Sequence, residues 1–155
     1  MYQMVQKHID VEVTTAAEPA VVYALLRDGS SWPVWSPLGS FELAREGSGE
    51  PEGLGAVRVF RTGRFTSWEE VVELVPDRRF SYALRHGLPL RGYRADVDLT
   101  PEGTGTRIRW HSSFRPGIFG TGWFYRWFLG RFIARMADGL AAHSVAVRPR
   151  QGEAP

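Results

Sequence analysis

The sequence predicts an α+β fold: a curved antiparallel sheet of seven strands wrapped around one long C-terminal helix. Three observations predict it. A single strand is followed by a short amphipathic helix in the stretch Glu18 to Asp28, and at once by a tight second turn bearing Trp32 and Trp35. Six segments of alternating polarity come next, joined by Gly- and Pro-rich turns. An aromatic helix, from about Thr121 to Val147, closes the chain. Such a sheet tends to enclose a cavity beneath the helix, which points to binding of a small apolar molecule.

Each element has a local cause. In His8 to Val13 the apolar residues Ile9, Val11 and Val13 share one face, the period of a half-buried strand. Pro19 suits a first helical turn. Val21, Val22, Leu25 and Leu26 then recur at helical spacing, and Asp28-Gly29-Ser30-Ser31 stops that helix and caps the next. Phe41 to Arg45 is the second strand, and Glu46 to Gly53 a hairpin loop. Gly55 to Thr62 places Val57 and Val59 on one side with Arg58 opposite. Phe65 to Val75 ends at Pro76-Asp77, and Arg79 to Arg85 aligns Phe80, Tyr82 and Leu84. Tyr93, Ala95, Val97 and Leu99 alternate with Arg94, Asp96 and Asp98, and Pro101 to Gly105 is a hairpin turn. The last strand, Thr106 to Phe114, aligns Ile108, Trp110, Ser112 and Phe114 against Arg107, Arg109 and His111. Clean alternation means one wet face and one buried face. The stripe Phe124, Phe128, Phe132, Met136 and Leu140, at steps of four, is expected to cover the buried one.

Bulk properties narrow the function. The 155 residues predict one domain over 1–147, with a polar tail at 148–155 expected to be disordered. Six Trp, nine Phe and five Tyr are a large aromatic complement, suited to cores, pockets and interfaces. A net charge of +2 sets up no strong field for nucleic acid. The absence of cysteine excludes disulfides and thiolate metal sites and fits a cytoplasmic location. Met1 to Val13 lacks the apolar run of a signal peptide, and no apolar stretch nears the roughly 20 residues that span a bilayer.

The order of motifs resembles the SRPBCC or START-like superfamily, and within it the bacterial polyketide cyclase/dehydrase and lipid-transport group. The residues that carry the resemblance are Ala17-Glu18-Pro19-Ala20-Val21-Val22-Tyr23, Asp28, Trp32-x-x-Trp35, Glu73 to Tyr82, and Gly105 to Trp110. It spans about Val5 to Val147. It implies a helix-grip fold with a cavity between sheet and C-terminal helix. The family has no universal catalytic residue, so none transfers to this chain, and its members include carriers, receptors and aromatase/cyclases. Fold alone does not choose among them.

The residues suggest where a ligand would sit. The expected lining is Trp35, Val59, Trp68, Tyr82, Tyr93, Val97, Trp110, Ser112 and Phe114 from the sheet side, and Phe128, Phe132 and Met136 from the helix. Trp32 and Trp35 either flank the mouth or fasten the short helices to the sheet. Glu70 shares a face with Trp68, Val72 and Leu74. An acid in an apolar pocket has a raised pKa and can exchange protons with a ligand. A slip of one residue would exchange the faces and leave Glu70 in water. Arg61 is either an anion anchor or an arginine reaching water at a strand end. Of the four histidines only His143 is placed to look inward. Glu70 and His143 are therefore the candidate acid/base groups of an enzyme. No metal motif, nucleotide loop or nucleophile motif is present, so neither a metal nor a cofactor is expected.

Trp123 and Trp127 lie off the apolar stripe, among arginines. They could contact the small helices, a second copy or a membrane surface. Monomer and homodimer both fit. Gly130 and Gly139 interrupt the last helix and leave room for a ligand or for a close approach. Three functions follow: binding of a lipid or polyketide-like ligand, a cyclase-type enzyme using a cavity acid/base, and a non-catalytic interaction protein whose aromatics fill the cavity.

Overall fold

The computed structural model describes residues 5–147. β1 (Lys7–Thr15) leads into α1 (Pro19–Arg27), a 3-10 turn (Gly29–Ser31) and α2 (Trp32–Trp35). Six strands follow: β2 (Ser40–Arg45), β3 (Val57–Thr62), β4 (Phe65–Val75), β5 (Arg79–His86), β6 (Leu90–Glu102) and β7 (Gly105–Pro116). α3 (Gly122–Val147) ends the described chain. The tail expected to be disordered lies outside the described residues.

The sheet has seven strands in the order β1-β7-β6-β5-β4-β3-β2, every pair antiparallel. β1 and β2 thus lie at opposite edges, and α1 and α2 carry the chain between them. α1 begins at Pro19, where a missing N–H costs nothing. It stops at Asp28, whose carboxylate accepts from the Ser30 N–H at 3.1 Å and caps the 3-10 turn. The Trp32 indole donates to the Leu26 carbonyl at 3.1 Å, and that of Trp35 to Ser31 Oγ at 3.0 Å. Both tryptophans are buried and fasten α2 to the sheet, with Trp32 ringed by Trp35, Phe60, Phe80, Tyr82 and Trp110.

The inner face of β6 and β7 follows the alternation: Tyr93, Ala95, Val97, Leu99, Ile108, Trp110, Ser112 and Phe114 are all buried. The outer face is an ionic lattice. Arg79 grips Asp98 through Nε at 2.6 Å and Nη2 at 3.1 Å, and His111 Nε2 reaches the same carboxylate at 2.6 Å.

β3, β4 and α3 depart from the expected parity. In β3 it is Arg58 and Phe60 that enter the core, while Val57 and Val59 are buried outside the central cluster and Arg61 pairs with Glu42 at the surface. Arg58 is 1% exposed. Its Nη2 donates to the Arg27 carbonyl at 2.6 Å and lies 3.0 Å from Glu52 Oε1, tying β3 to the end of α1. Its guanidinium sits 4.9 Å from the Phe80 ring centre and 5.6 Å from that of Trp32.

α3 is also rotated from the expected setting. Its buried stripe is Leu129, Ile133, Met136, Ala137, Leu140 and Ser144. Phe124 and Phe128 are exposed, and Phe132 is half-buried. The three phenyl rings stack along the helix edge at about 6 Å intervals. α3 packs chiefly on β1, β7, α1 and α2. No described helix is long and apolar enough to cross a membrane.

Candidate functional site

Because α3 leans toward the β1–β7 side, a space of about 160 Å³ remains between it and the inner face of β3, β4 and β5. Its floor is Phe60, Tyr82 and Leu84, with Tyr93 beside them from β6. Its roof is Phe128, Leu129, Phe132, Ile133 and Met136 of α3. The rim is formed by Thr62, Phe65, Thr66 and Ser67 of the β3–β4 hairpin and by Gly87 and Leu88 of the β5–β6 turn. Gly87 has φ 132°, and a side chain there would run into the Thr66 carbonyl, so the two turns meet only because this residue is glycine. Exposed Phe65 and Phe128 mark the mouth.

Glu69 is the one ionisable carboxyl in this lining. It stands directly opposite Arg58 in the β3–β4 ladder, on the same inner face. Arg58 is committed to Glu52 and to the Arg27 carbonyl, and among the described residues no ion pair or hydrogen bond engages the Glu69 carboxylate. Burial pushes its pKa up to about 7, against an opposing pull from the Arg58 charge. Burial likewise pushes the Tyr93 phenol up to about 12 and Tyr82 well above its usual value. The Tyr82 hydroxyl accepts from the Trp110 indole at 3.3 Å. Ser112 Oγ is buried without a hydrogen bond of standard geometry, with the Tyr93 hydroxyl as its near neighbour. The site is an apolar slot with one carboxyl and two neutral phenols.

Of the residues expected to line the cavity, Tyr82, Tyr93, Phe128, Phe132 and Met136 do so. Trp35, Val97, Trp110 and Phe114 lie in the packed core beside it, where rings fill the space. Ser112 is behind Tyr93. Val59 and Trp68 are on the other side of the sheet, Trp68 edge-on to His86 at 6.2 Å. Glu70 is also there, held by Arg45 at 3.2 Å and Arg85 at 3.4 Å. The cause is a bulge in β4 between Val71 and Glu73, where one extra residue exchanges the faces and sets Leu74 on the side of Glu69 and Val71, away from Glu70. Glu69 takes the place expected for Glu70. The dipeptide itself carried the signal, since consecutive glutamates in a strand point to opposite faces. His143 is half-buried late in α3 and does not line the cavity.

Comparison with known proteins agrees with this architecture. The family model described as polyketide cyclase / dehydrase and lipid transport matches residues 6–145. A START superfamily protein from Mycobacterium smegmatis superposes with a TM-score of 0.76 at 14% identity, covering 91% of this chain and 99% of the other. Norcoclaurine synthase from Thalictrum flavum, in complex with dopamine and hydroxybenzaldehyde, superposes with a TM-score of 0.74 at 15% identity, covering 95% and 91%. The protein TTHA0849 from Thermus thermophilus gives 0.70 at 18% identity, covering 92% and 100%. At such identities these structures share the fold and nothing finer. No curated protein matches the sequence. With the family model spanning nearly all of the described residues, the chain belongs to the polyketide cyclase / dehydrase and lipid transport family.

Proposed function

We propose that this protein binds a hydrophobic or aromatic small molecule in the slot between sheet and α3, and that Glu69 sets the molecule's orientation. The observation that carries this reading is an apolar cavity with a single unpaired carboxyl in its wall. Pockets of this kind use apolar walls for affinity and a few polar groups for direction. The volume suits one aromatic ring, comparable with the ~150 Å³ cavities that admit benzene. A larger ligand would place one ring inside and leave the rest against Phe65 and Phe128 at the mouth. Apolar burial contributes about 25 cal/mol per Å², less the cost of association.

Thermal melts with a panel of single-ring phenols, amines and hydrocarbons, beside native mass spectrometry of the freshly purified protein, test the proposal. A saturable rise in Tm, or a retained apolar species, is the expected result. An unshifted Tm across the panel together with a clean apo mass would turn the balance to the interaction-protein reading.

A second reading, a cyclase-type enzyme, is favoured by Glu69 alone. A carboxyl whose pKa lies near 7 can take or give a proton at neutral pH. This has a consequence that needs no ligand. The native state holds the Glu69 proton more tightly than an unfolded chain, where the ordinary value is 4.5. Stability is therefore highest below about 4.5 as far as this group is concerned, falls as pH rises toward 7, and levels off above it. Discounted for the opening to the cavity, the loss is of order 1–2 kcal/mol. Glu69→Gln should remove this fall and raise Tm at pH values above 7 relative to the parent. Parallel Tm-versus-pH curves for the two proteins would show that Glu69 does not titrate in this range.

A further inference from the structure

Around the start of α3 the surface is apolar and basic at once. Ile118, Phe119, Trp123 and Trp127 are 55%, 77%, 70% and 56% exposed. From Gly103 to Ala137 the chain carries six arginines and no aspartate or glutamate. Arg107 and Arg109 are neutralised on the outer sheet face by Glu102 and Asp10. Arg115, Arg126, Arg131 and Arg135 have no ion pair among the described residues, and the Arg131 guanidinium lies 5.4 Å from the Trp127 ring centre. A second basic feature adjoins the loop that leads into α3. Arg91 and Arg115 face each other directly across β6 and β7, at an irregularity that also holds Gly92 at φ 62°. Like charges set opposite one another weaken a ladder. Here they flank, with Gln6, a surface concavity of about 240 Å³. Gly117 is hydrogen-bonded to Pro89 at 2.7 Å, which holds the start of the aromatic loop at this end of the sheet.

We infer that this face docks on an anionic phospholipid bilayer. Trp123, Trp127, Ile118 and Phe119 enter the headgroup layer, and the Arg91–Arg115 concavity takes a lipid phosphate. Trp beside Arg is the composition of an interfacial helix. The charge selects the occupant: four unpaired arginines on α3 and its lead-in strand would repel the same face of a second copy, while an anionic membrane neutralises them. Phe128 belongs both to the α3 aromatic edge and to the cavity roof, so docking brings the mouth toward the lipid. The docking itself does not depend on what the cavity holds.

Flotation with phosphatidylcholine vesicles, and with vesicles mixing phosphatidylcholine and phosphatidylglycerol, tests it on the full chain. The expected result is binding to the mixed vesicles, a blue shift of tryptophan emission, and weakening by salt. Arg91→Gln and Arg115→Gln should each lower the partition coefficient about fivefold. The double variant Trp123→Ser/Trp127→Ser should abolish binding while leaving Tm unchanged, since both rings are exposed. Equal partitioning to both vesicle types would overturn the inference. So would a concentration-dependent dimer in sedimentation, without vesicles, that the tryptophan variant dissolves, because the covering partner would then be a second copy.

Discussion

Gly139→Ala is expected to lower stability by about 3 kcal/mol, and Gly130→Ala to raise it by about 1 kcal/mol, although both put a methyl group on the same helix. A Cβ at Gly139 would lie 1.7 Å from the Trp35 carbonyl oxygen and 3.0 Å from its carbon. That neighbour is backbone, and no rotamer change can move it. α2 cannot yield easily either, because Trp32 and Trp35 are both buried and hydrogen-bonded. α3 must therefore lift away, opening the contacts of Ile133, Met136 and Leu140. The overpacking cost belongs at the upper end of its usual range, and the gain in helix propensity offsets only part of it. At Gly130 a Cβ would meet nothing within 4 Å, so the propensity gain stands alone. In a chain of this size each kcal/mol moves Tm by about 2–4 °C. Thermal melts should place the two variants on opposite sides of the parent, by roughly 6–12 °C downward and 2–4 °C upward. Shifts of one sign would mean that α3 and α2 are not in this close contact. Lifting α3 also displaces the cavity roof, so Gly139→Ala should lose ligand affinity while Gly130→Ala keeps it.

The contrast between these glycines was open in the sequence, which marked both as interruptions and could not say which one meets a neighbour. The wider pattern is similar. In β6 and β7 the period of two was unambiguous, because the polar set consists of arginines, aspartates and a histidine facing one another across the outer sheet surface. In β3 every residue from Val57 to Phe60 is buried, so alternation held no contrast, and the rule that arginine points outward gave the wrong face. Arg58 points inward because Glu52 of the preceding loop and the Arg27 carbonyl, distant in sequence, meet it there. In β4 the irregular pairing is a property of two strands together, invisible in either alone. In α3 two stripes of apolar residues run one position apart, Phe124-Phe128-Phe132 and Leu129-Ile133-Ala137. Periodicity favours the larger rings, but the close approach at Gly139 turns the smaller ones onto the sheet. Thus the architecture was legible, and the cavity was legible in part, through Tyr82, Tyr93, Phe128, Phe132 and Met136. Its acid was misplaced by one residue.

Arg58→Ala is expected to cost about 3–5 kcal/mol, and Arg58→Met far less. Both variants strip Glu52 of its buried cation, but only alanine also leaves a void beneath Trp32 and Phe80. An apolar chain of similar length keeps that space filled, whereas truncation to alanine adds the cost of a cavity to the loss of the charge. Two guanidinium nitrogens of Arg58, Nε and Nη1, already lack hydrogen-bond partners, and burial holds its pKa down at about 10. Methionine would fill the same slot against the rings without those unmet donors, and Glu52, part-exposed, can turn to water. Denaturant titration should separate the two variants by at least about 2 kcal/mol; equal losses would place the energy in the guanidinium contacts, that with Glu52 included, and not in the void. The methionine variant carries a second consequence at the site. The Arg58 charge pulls the Glu69 pKa down from where burial alone would hold it. With that charge gone, the value should rise above about 7, and the pH range over which Glu69 drains stability should extend upward. Carboxyl chemical shifts followed through a pH titration would report this directly. An unmoved midpoint would show that Arg58 supports the fold without tuning the acid in the cavity.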